Sequence, residues 1–126
     1  MKILLVDDEE IFRKRLAIAF SRRGFTVHEA SDFDSAVGVL EKCAPEMALI
    51  DLRMPGRSGI ELIAEAKCLQ PGIKIVVLTG YGSIATASQA IRLGALYYLP
   101  KPADVDEILL AFSQDEGKTF PVNVRA

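Results

Sequence analysis

Short runs rich in aliphatic and β-branched residues recur along the chain: KILLV (2–6), FTVHE (25–29), MALI (47–50), IKIVVL (73–78) and LYYL (96–99). Four of them are nearly all apolar, as expected of strands covered on both faces. FTVHE instead alternates Phe25, Val27 and Glu29 with Thr26 and His28, which suits a strand at a sheet edge. Between the runs, apolar residues return at helical spacing. Phe12, Leu16, Ala19 and Phe20 form one stripe, Phe33, Ala36, Val37 and Leu40 a second, and Leu62, Ile63, Ala66 and Leu69 a third. Ile84, Ala87 and Ile91 make a fourth, and Val105, Ile108, Leu109 and Phe112 a fifth.

The punctuation agrees with this division. Gly24 and Gly94 stand where helices should stop, Pro71-Gly72 follows the third stripe, and Ser31, Ser83 and Asp104 are candidate N-caps. Five strands alternating with five helices predict an α/β fold: βαβ units, right-handed crossovers and a parallel sheet between two helical layers. Residues 1–113 form the expected domain. From about Gln114 periodicity is lost, and 114–126 reads as a tail or the start of a linker to an output domain outside this chain.

Composition narrows the function classes. The chain has 126 residues, enough for one domain, and a formal net charge of −2 with both signs scattered along it. Such a balance lacks the basic face of a nucleic-acid or membrane-surface binder, so any action on DNA requires another domain. Cys43 and Cys68 lie in separate helical stripes, without metal-type spacing, and read as small hydrophobes of a reducing cytoplasm. The opening MKILLVDDEE is too short for a signal peptide or a membrane span, and a cytoplasmic location is expected.

The candidate chemistry lies where the apolar runs break. KILLV ends in Asp7-Asp8, MALI in Asp51, IKIVVL in Thr79, and LYYL is followed by Pro100 and Lys101. In a parallel sheet these ends share one edge, where ligands of open α/β folds bind. Three converging carboxylates repel one another unless a cation or raised pKa values relieve them. Hard oxygen donors with room for water suit Mg²⁺. A carboxylate beside that ion, a hydroxyl and an ammonium can receive a phosphoryl group: Asp51 is the candidate nucleophile, with Thr79 and Lys101 holding the other phosphoryl oxygens. Singly, each residue has an ordinary explanation. The acidic run from Asp7 to Glu10 favours a helix N-terminus, Asp51 can cap the MPG turn, Thr79 can simply end a strand, and Lys101 can be solvated. Their joint placement on successive strand ends argues against four separate coincidences.

VDDE (6–9), DLRMPGRSG (51–59), LTGYGS (78–83) and YYLPKP (97–102) resemble the signature of two-component response-regulator receiver domains, the CheY-like family. The resemblance implies a flavodoxin-like, doubly wound (βα)5 sheet of order 2-1-3-4-5, an order that general accounts of the fold illustrate with a receiver. It implies that Asp51 accepts a phosphoryl group from a phosphohistidine of a sensor histidine kinase. Asp8, Asp51 and the backbone carbonyl of Arg53 are the implied direct Mg²⁺ ligands, and Asp7 acts through water. Lys101 is the implied partner of the phosphoryl group and Asp51, Thr79 and Tyr98 are the implied switch residues, and the Lys101-Pro102 bond is expected to be cis. His28 lies in a strand away from the acidic edge, so the donor histidine belongs to another protein. The stretch LTGYGSIATASQAIRLGALYYLPKP further resembles regulators of the RegA/PrrA/ActR kind, which carry a DNA-binding C-terminal domain. Pro100 departs from the usual receiver pattern; it restricts Leu99 and removes a ladder donor.

These readings place the signal's exit on the 83–113 face, a possible homodimer surface, and make slow autodephosphorylation an expectation. Arg53 and Tyr81 should flank the approach of water, giving a phosphoryl lifetime of minutes or longer. Two other readings compete with this one. A haloacid-dehalogenase-like phosphotransferase wants an acidic residue two positions after its nucleophile, where this chain has Arg53. An interaction module of receiver shape that is never phosphorylated has no need of the full set Asp7, Asp8, Asp51, Thr79 and Lys101.

Overall fold

Successive side chains of a strand point to opposite faces, and here each central strand feeds two cores. The computed structural model describes residues 1–54, 56–80 and 84–114. Its elements are β1 (Lys2–Val6), α1 (Glu10–Arg22), β2 (Thr26–Ala30), α2 (Phe33–Cys43), β3 (Met47–Ile50), α3 (Gly59–Leu69), β4 (Lys74–Thr79), α4 (Ile84–Arg92), β5 (Tyr97–Pro100) and α5 (Val105–Phe112). The five strands are parallel in the order β2-β1-β3-β4-β5, as the family resemblance implied. Leu4, Val6, Ala48, Ile50, Ile75 and Val77 face α2, α3 and α4 through Ala36, Leu40, Leu62, Ile63, Ala66 and Ala90. Ile3, Leu5, Met47, Leu49, Val76 and Leu78 face α1 and α5 through Leu16, Phe20, Ile108 and Phe112. Fully burying one such Leu or Ile contributes roughly 1.5–3 kcal/mol.

The strands expected at 25–29, 73–78 and 96–99 each lie one residue further along the chain. Phe25 is withdrawn from the second because its N–H donates to the Phe20 carbonyl at the end of α1. Thr79 and Pro100 are included because they still face each other across the β4–β5 ladder. LYYL is not covered on both faces as expected: β5 is an edge strand, and Tyr97, Tyr98 and Leu99 are only partly buried. An edge position also accommodates Pro100, which has no N–H to give. The third stripe frays at Leu69, which is exposed, and Cys68 is exposed rather than buried. Cys43 is partly buried, with its sulfur 3.8 Å from Nδ1 of His28.

Gly24 and Gly94 end α1 and α4 with φ of +91° and +118°, a region costly for any residue with a Cβ. Asp104 caps α5 as expected, in a box with Glu107. The cap of α2 is Asp32 rather than Ser31: its carboxylate accepts from the Ser35 N–H at 2.8 Å, and the Ser35 side chain accepts in return from the Asp32 N–H. Ser83, Tyr81 and residues 115–126 lie outside the described residues.

Ser35 holds the Asp32 carboxyl below the usual aspartate range, first through its backbone N–H and then through its hydroxyl. A carboxyl with a lowered folded pKa stabilises the fold fully above its unfolded value of about 3.9, and that stabilisation fades as pH falls through the folded value. Asn keeps the cap without titrating. Between about pH 6 and pH 2 the urea midpoint of wild type should therefore fall further than that of Asp32→Asn; parallel curves would contradict this account of the cap.

Candidate functional site

Backbone hydrogen bonds continue the sheet one residue past β1, β3 and β5. The Asp7 N–H donates to the Ala30 carbonyl at 3.1 Å, Asp51 to Val6 at 3.0 Å, and Lys101 to Thr79 at 3.0 Å. The polar residue after each of these strands is thus fixed by the ladder, not by a loop of its own. Parallel pairing puts all these residues on one edge.

There Asp7, Asp8 and Asp51 each present a carboxylate oxygen within 4.8 Å of the others. Asp7 and Asp51 are buried and Asp8 is exposed. The Lys101 ammonium reaches over them, 2.6 Å from Oε1 of Glu9, 2.9 Å from Oδ2 of Asp7 and 3.2 Å from Oδ2 of Asp51. Its Nζ also stands 4.8 Å from the centroid of the Phe12 ring on α1. Buried Thr79 and exposed Arg53 join Asp8, Glu9, Asp51, Gly80 and Lys101 around an open cleft of about 320 Å³. The Arg53 N–H donates to Oδ1 of Asp51 at 3.2 Å, and the Glu9 N–H to Oδ1 of Asp7 at 2.9 Å. The Lys101-Pro102 peptide is cis, as expected.

The electrostatics follow from this crowding. Burial pushes the Asp7 carboxyl above its ordinary value, and the charge of Asp51 adds to the push; the Glu9 N–H and Lys101 oppose it without cancelling it. Burial pulls Lys101 the other way, but its hydrogen bonds to Glu9 and Asp7 and the field of Asp51 prevail, so its pKa is raised and it stays an ammonium. One lysine thus serves three carboxylates, Glu9, Asp7 and Asp51. The donors at the rim are all oxygens, with neither sulfur nor imidazole among them, which fits a hard divalent cation rather than zinc or copper.

Tyr98 pairs with Val77 across β4–β5 and packs against the core under α2–α4. Its hydroxyl bonds Thr86 on α4, and burial raises its pKa, with Asp51 adding to the rise. The expected switch residues Thr79 and Tyr98 are therefore separated: one is buried at the end of β4, the other tied toward α4.

Three contributors went unrecognised in the sequence. Glu9 was read only as part of an acidic helix start, yet it makes no cap bond and its carboxylate goes to Lys101. Arg13 lay inside an apolar stripe and is buried. Gly59 sits against the loop that begins at Asp51: its N–H donates to the Leu52 carbonyl at 3.0 Å, and a Cβ there would collide with the Asp51 carbonyl oxygen and the Leu52 Cα. The only sequence signal for it was the glycine of RSG just before a helical stripe.

A family model described as the response regulator receiver domain matches residues 3–113. The chain belongs to that family. This receiver is similar to the acid tolerance regulatory protein ActR of Rhizobium meliloti (strain 1021), 43% identical over 116 residues, covering 92% of this chain and 60% of ActR. It is also similar to the photosynthetic apparatus regulatory protein RegA of Cereibacter sphaeroides, 40% identical over 119 residues, covering 94% of this chain and 64% of RegA. These belong to the group that the sequence suggested, and the receiver spans about three fifths of their length. A response regulator from Burkholderia pseudomallei, solved with a phosphorylated aspartic acid, a calcium ion and citrate, superposes with a TM-score of 0.86 at 44% identity, covering 88% of this chain and 65% of that one. The receiver is accordingly a signalling switch of the two-component kind. Among its described residues no helix is long and apolar enough to cross a membrane.

Because the obstacle at Gly59 is backbone, a methyl group there can be accommodated only by moving the loop that carries Asp51. Gly59→Ala should cost about 1–3 kcal/mol in urea unfolding, the range of overpacked sites, and slow phosphorylation as well. A variant of wild-type stability would show that the loop yields freely.

Proposed function

We propose that this receiver takes a phosphoryl group onto Asp51 from a phosphohistidine of a sensor histidine kinase and thereby switches a transcriptional output. The observation that carries this reading is the buried Asp51 carboxylate with Lys101 Nζ 3.2 Å from one oxygen and Asp7 and Asp8 beside it. Asp8, Asp51 and the Arg53 carbonyl would hold Mg²⁺ directly and Asp7 through water; the ion supplies neutralisation of charge on the phosphoryl oxygens. The presence of both a phosphorylated aspartic acid and a calcium ion in the Burkholderia response regulator supports that assignment.

This chain's own groups do the rest. One Asp51 oxygen bonds the Arg53 N–H, leaving the other near Lys101 to attack phosphorus as the bond to the donor nitrogen breaks. Lys101 and the Thr79 hydroxyl then hold oxygens of the bound phosphoryl group. Before that, Glu9, Asp7 and Asp51 occupy the ammonium, so the incoming group must compete with Glu9 for it. Thr79 and Tyr98 carry the change to the 83–113 face, which is also the candidate homodimer surface. DNA contact falls to a C-terminal output domain beyond the 114–126 linker, as the length of ActR and RegA suggests. The setting is cytoplasmic and the bound group is lost slowly, with Arg53 at the rim of the cleft.

With Mg²⁺ and acetyl phosphate the protein should gain one acid-stable, base-labile phosphoryl group, seen by intact mass. Asp51→Asn should gain none, and Lys101→Ala should label about 10²-fold more slowly, as when one preorganised donor is removed. Label on Asp51→Asn, or none on wild type even from a kinase, would sink the reading. Once formed, the label should persist for minutes or longer after the donor is removed; loss within seconds would refute the slow switch.

A further inference from the structure

The buried charged or polar residues among those described are Asp7, Asp51, Thr79 and Arg13. Three of them form the site, and Arg13 has had no part in it so far. It projects inward from α1 between Phe12 and Leu16, where the helical stripe calls for an apolar side chain. Its Nε donates to Oε1 of Glu29 on β2 at 2.7 Å, and its Nη1 donates to the backbone carbonyl of Asp7 at 2.7 Å. The same Asp7 residue gives its N–H to the carbonyl of Ala30, the neighbour of Glu29. The backbone of Asp7 is therefore gripped on both sides from the end of β2, once directly and once through Arg13. Beneath the site, Arg13 borders a small cavity of about 10 Å³ with Asp7, Asp51, Leu16, Leu49 and Leu78.

We propose that Arg13 is a positioning residue for the acidic site, holding Asp7 and Asp8 at the spacing a divalent cation requires, with Glu29 setting the guanidinium in turn. The inference rests on the metal reading given above. A buried ion pair is often replaceable by apolar side chains without loss of stability. Here the planar fork of Arg13 joins two different elements through separate nitrogens, a fixed geometry that an apolar residue lacks and that the compact ammonium of lysine on its flexible stem does not reproduce. Because Glu29 balances its charge, Arg13 acts through the Asp7 carbonyl rather than through its field.

The test is Mg²⁺ binding to the unphosphorylated protein by calorimetry, together with the Mg²⁺ dependence of labelling by acetyl phosphate. Arg13→Met and Arg13→Lys should both weaken Mg²⁺ binding by about 10-fold, the low end for groups that orient a metal's ligands. Glu29→Gln should weaken it less. Lys14→Gln, which removes only the exposed partner of Glu29, should leave it unchanged. Half-saturation for Mg²⁺ should rise while the labelling rate at saturating Mg²⁺ stays near wild type, a split that general loosening of the fold would not give. If Arg13→Met does not fold, Arg13→Lys and Glu29→Gln decide. Unmoved Mg²⁺ affinity in the folded variants overturns the proposal. So does tighter binding in Arg13→Met with wild-type binding in Arg13→Lys, which would make Arg13 a matter of charge alone. Wild type that binds no Mg²⁺ would instead overturn the metal reading itself.

Discussion

One ammonium set against four carboxylates governs this molecule. Lys101 lies within 3.2 Å of Asp7, Glu9 and Asp51, with Asp8 at the rim, and two of those acids are buried. In a medium less polar than water such an excess of negative charge is costly. Burial raises the pKa of Asp7, and the charge of Asp51 adds to the rise. A site in that condition is receptive to further positive charge. It can also exchange its lysine for a new anion only if the old partners release it. The proposed chemistry is the relief of an imbalance that the fold imposes.

The imbalance persists because the sheet enforces it. Asp7, Asp51 and Lys101 are each the first residue beyond a strand, and each is tied by its N–H to the neighbouring strand. To separate the carboxylates, those bonds would have to break, and with them the ends of strands whose side chains fill two cores. The hydrophobic interior thus holds groups together that would otherwise drift apart. Gly59 and Arg13 extend the same constraint from outside the sheet. One removes a Cβ so that α3 can approach the Asp51 loop; the other carries the grip of β2 onto Asp7.

What the sequence made legible depended on periodicity. A strand-end residue announces itself because an apolar run stops, so Asp7, Asp51, Thr79 and Lys101 could be placed on one edge before any coordinates. Strand order could not be read this way, because hydrophobic pattern does not distinguish neighbours; it came from family resemblance. Edge exposure of β5 was missed for a related reason: Leu96, Tyr97, Tyr98 and Leu99 are apolar enough for a covered strand, and only topology leaves them half covered. Arg13 escaped notice because a charged residue inside a helical stripe reads as a surface position; its burial depends on Glu29, sixteen residues away on another element. Asp32 replaced Ser31 as a cap for a local reason, since only Asp32 stands three residues before a serine that can return the bond.

The path outward from the site has a physical starting condition. Thr79 ends β4 buried beside the cleft, whereas the Tyr98 hydroxyl on the adjacent strand is bonded to Thr86 of α4. A hydroxyl that is only partly buried can trade a partner for another at small cost, because a neutral hydrogen bond contributes only about 1 kcal/mol net. Thr79 lies on the strand beside Tyr98, so its movement toward a phosphoryl group would change the space into which the ring can turn. In the proposed switch, α4 then loses the contact that Thr86 makes with β5. That coupling needs no long-range rearrangement, only two neighbouring strands and one exchangeable hydrogen bond. The edge position of β5 is what allows it: a tyrosine covered on both faces would have neither room to move nor a surface to reach.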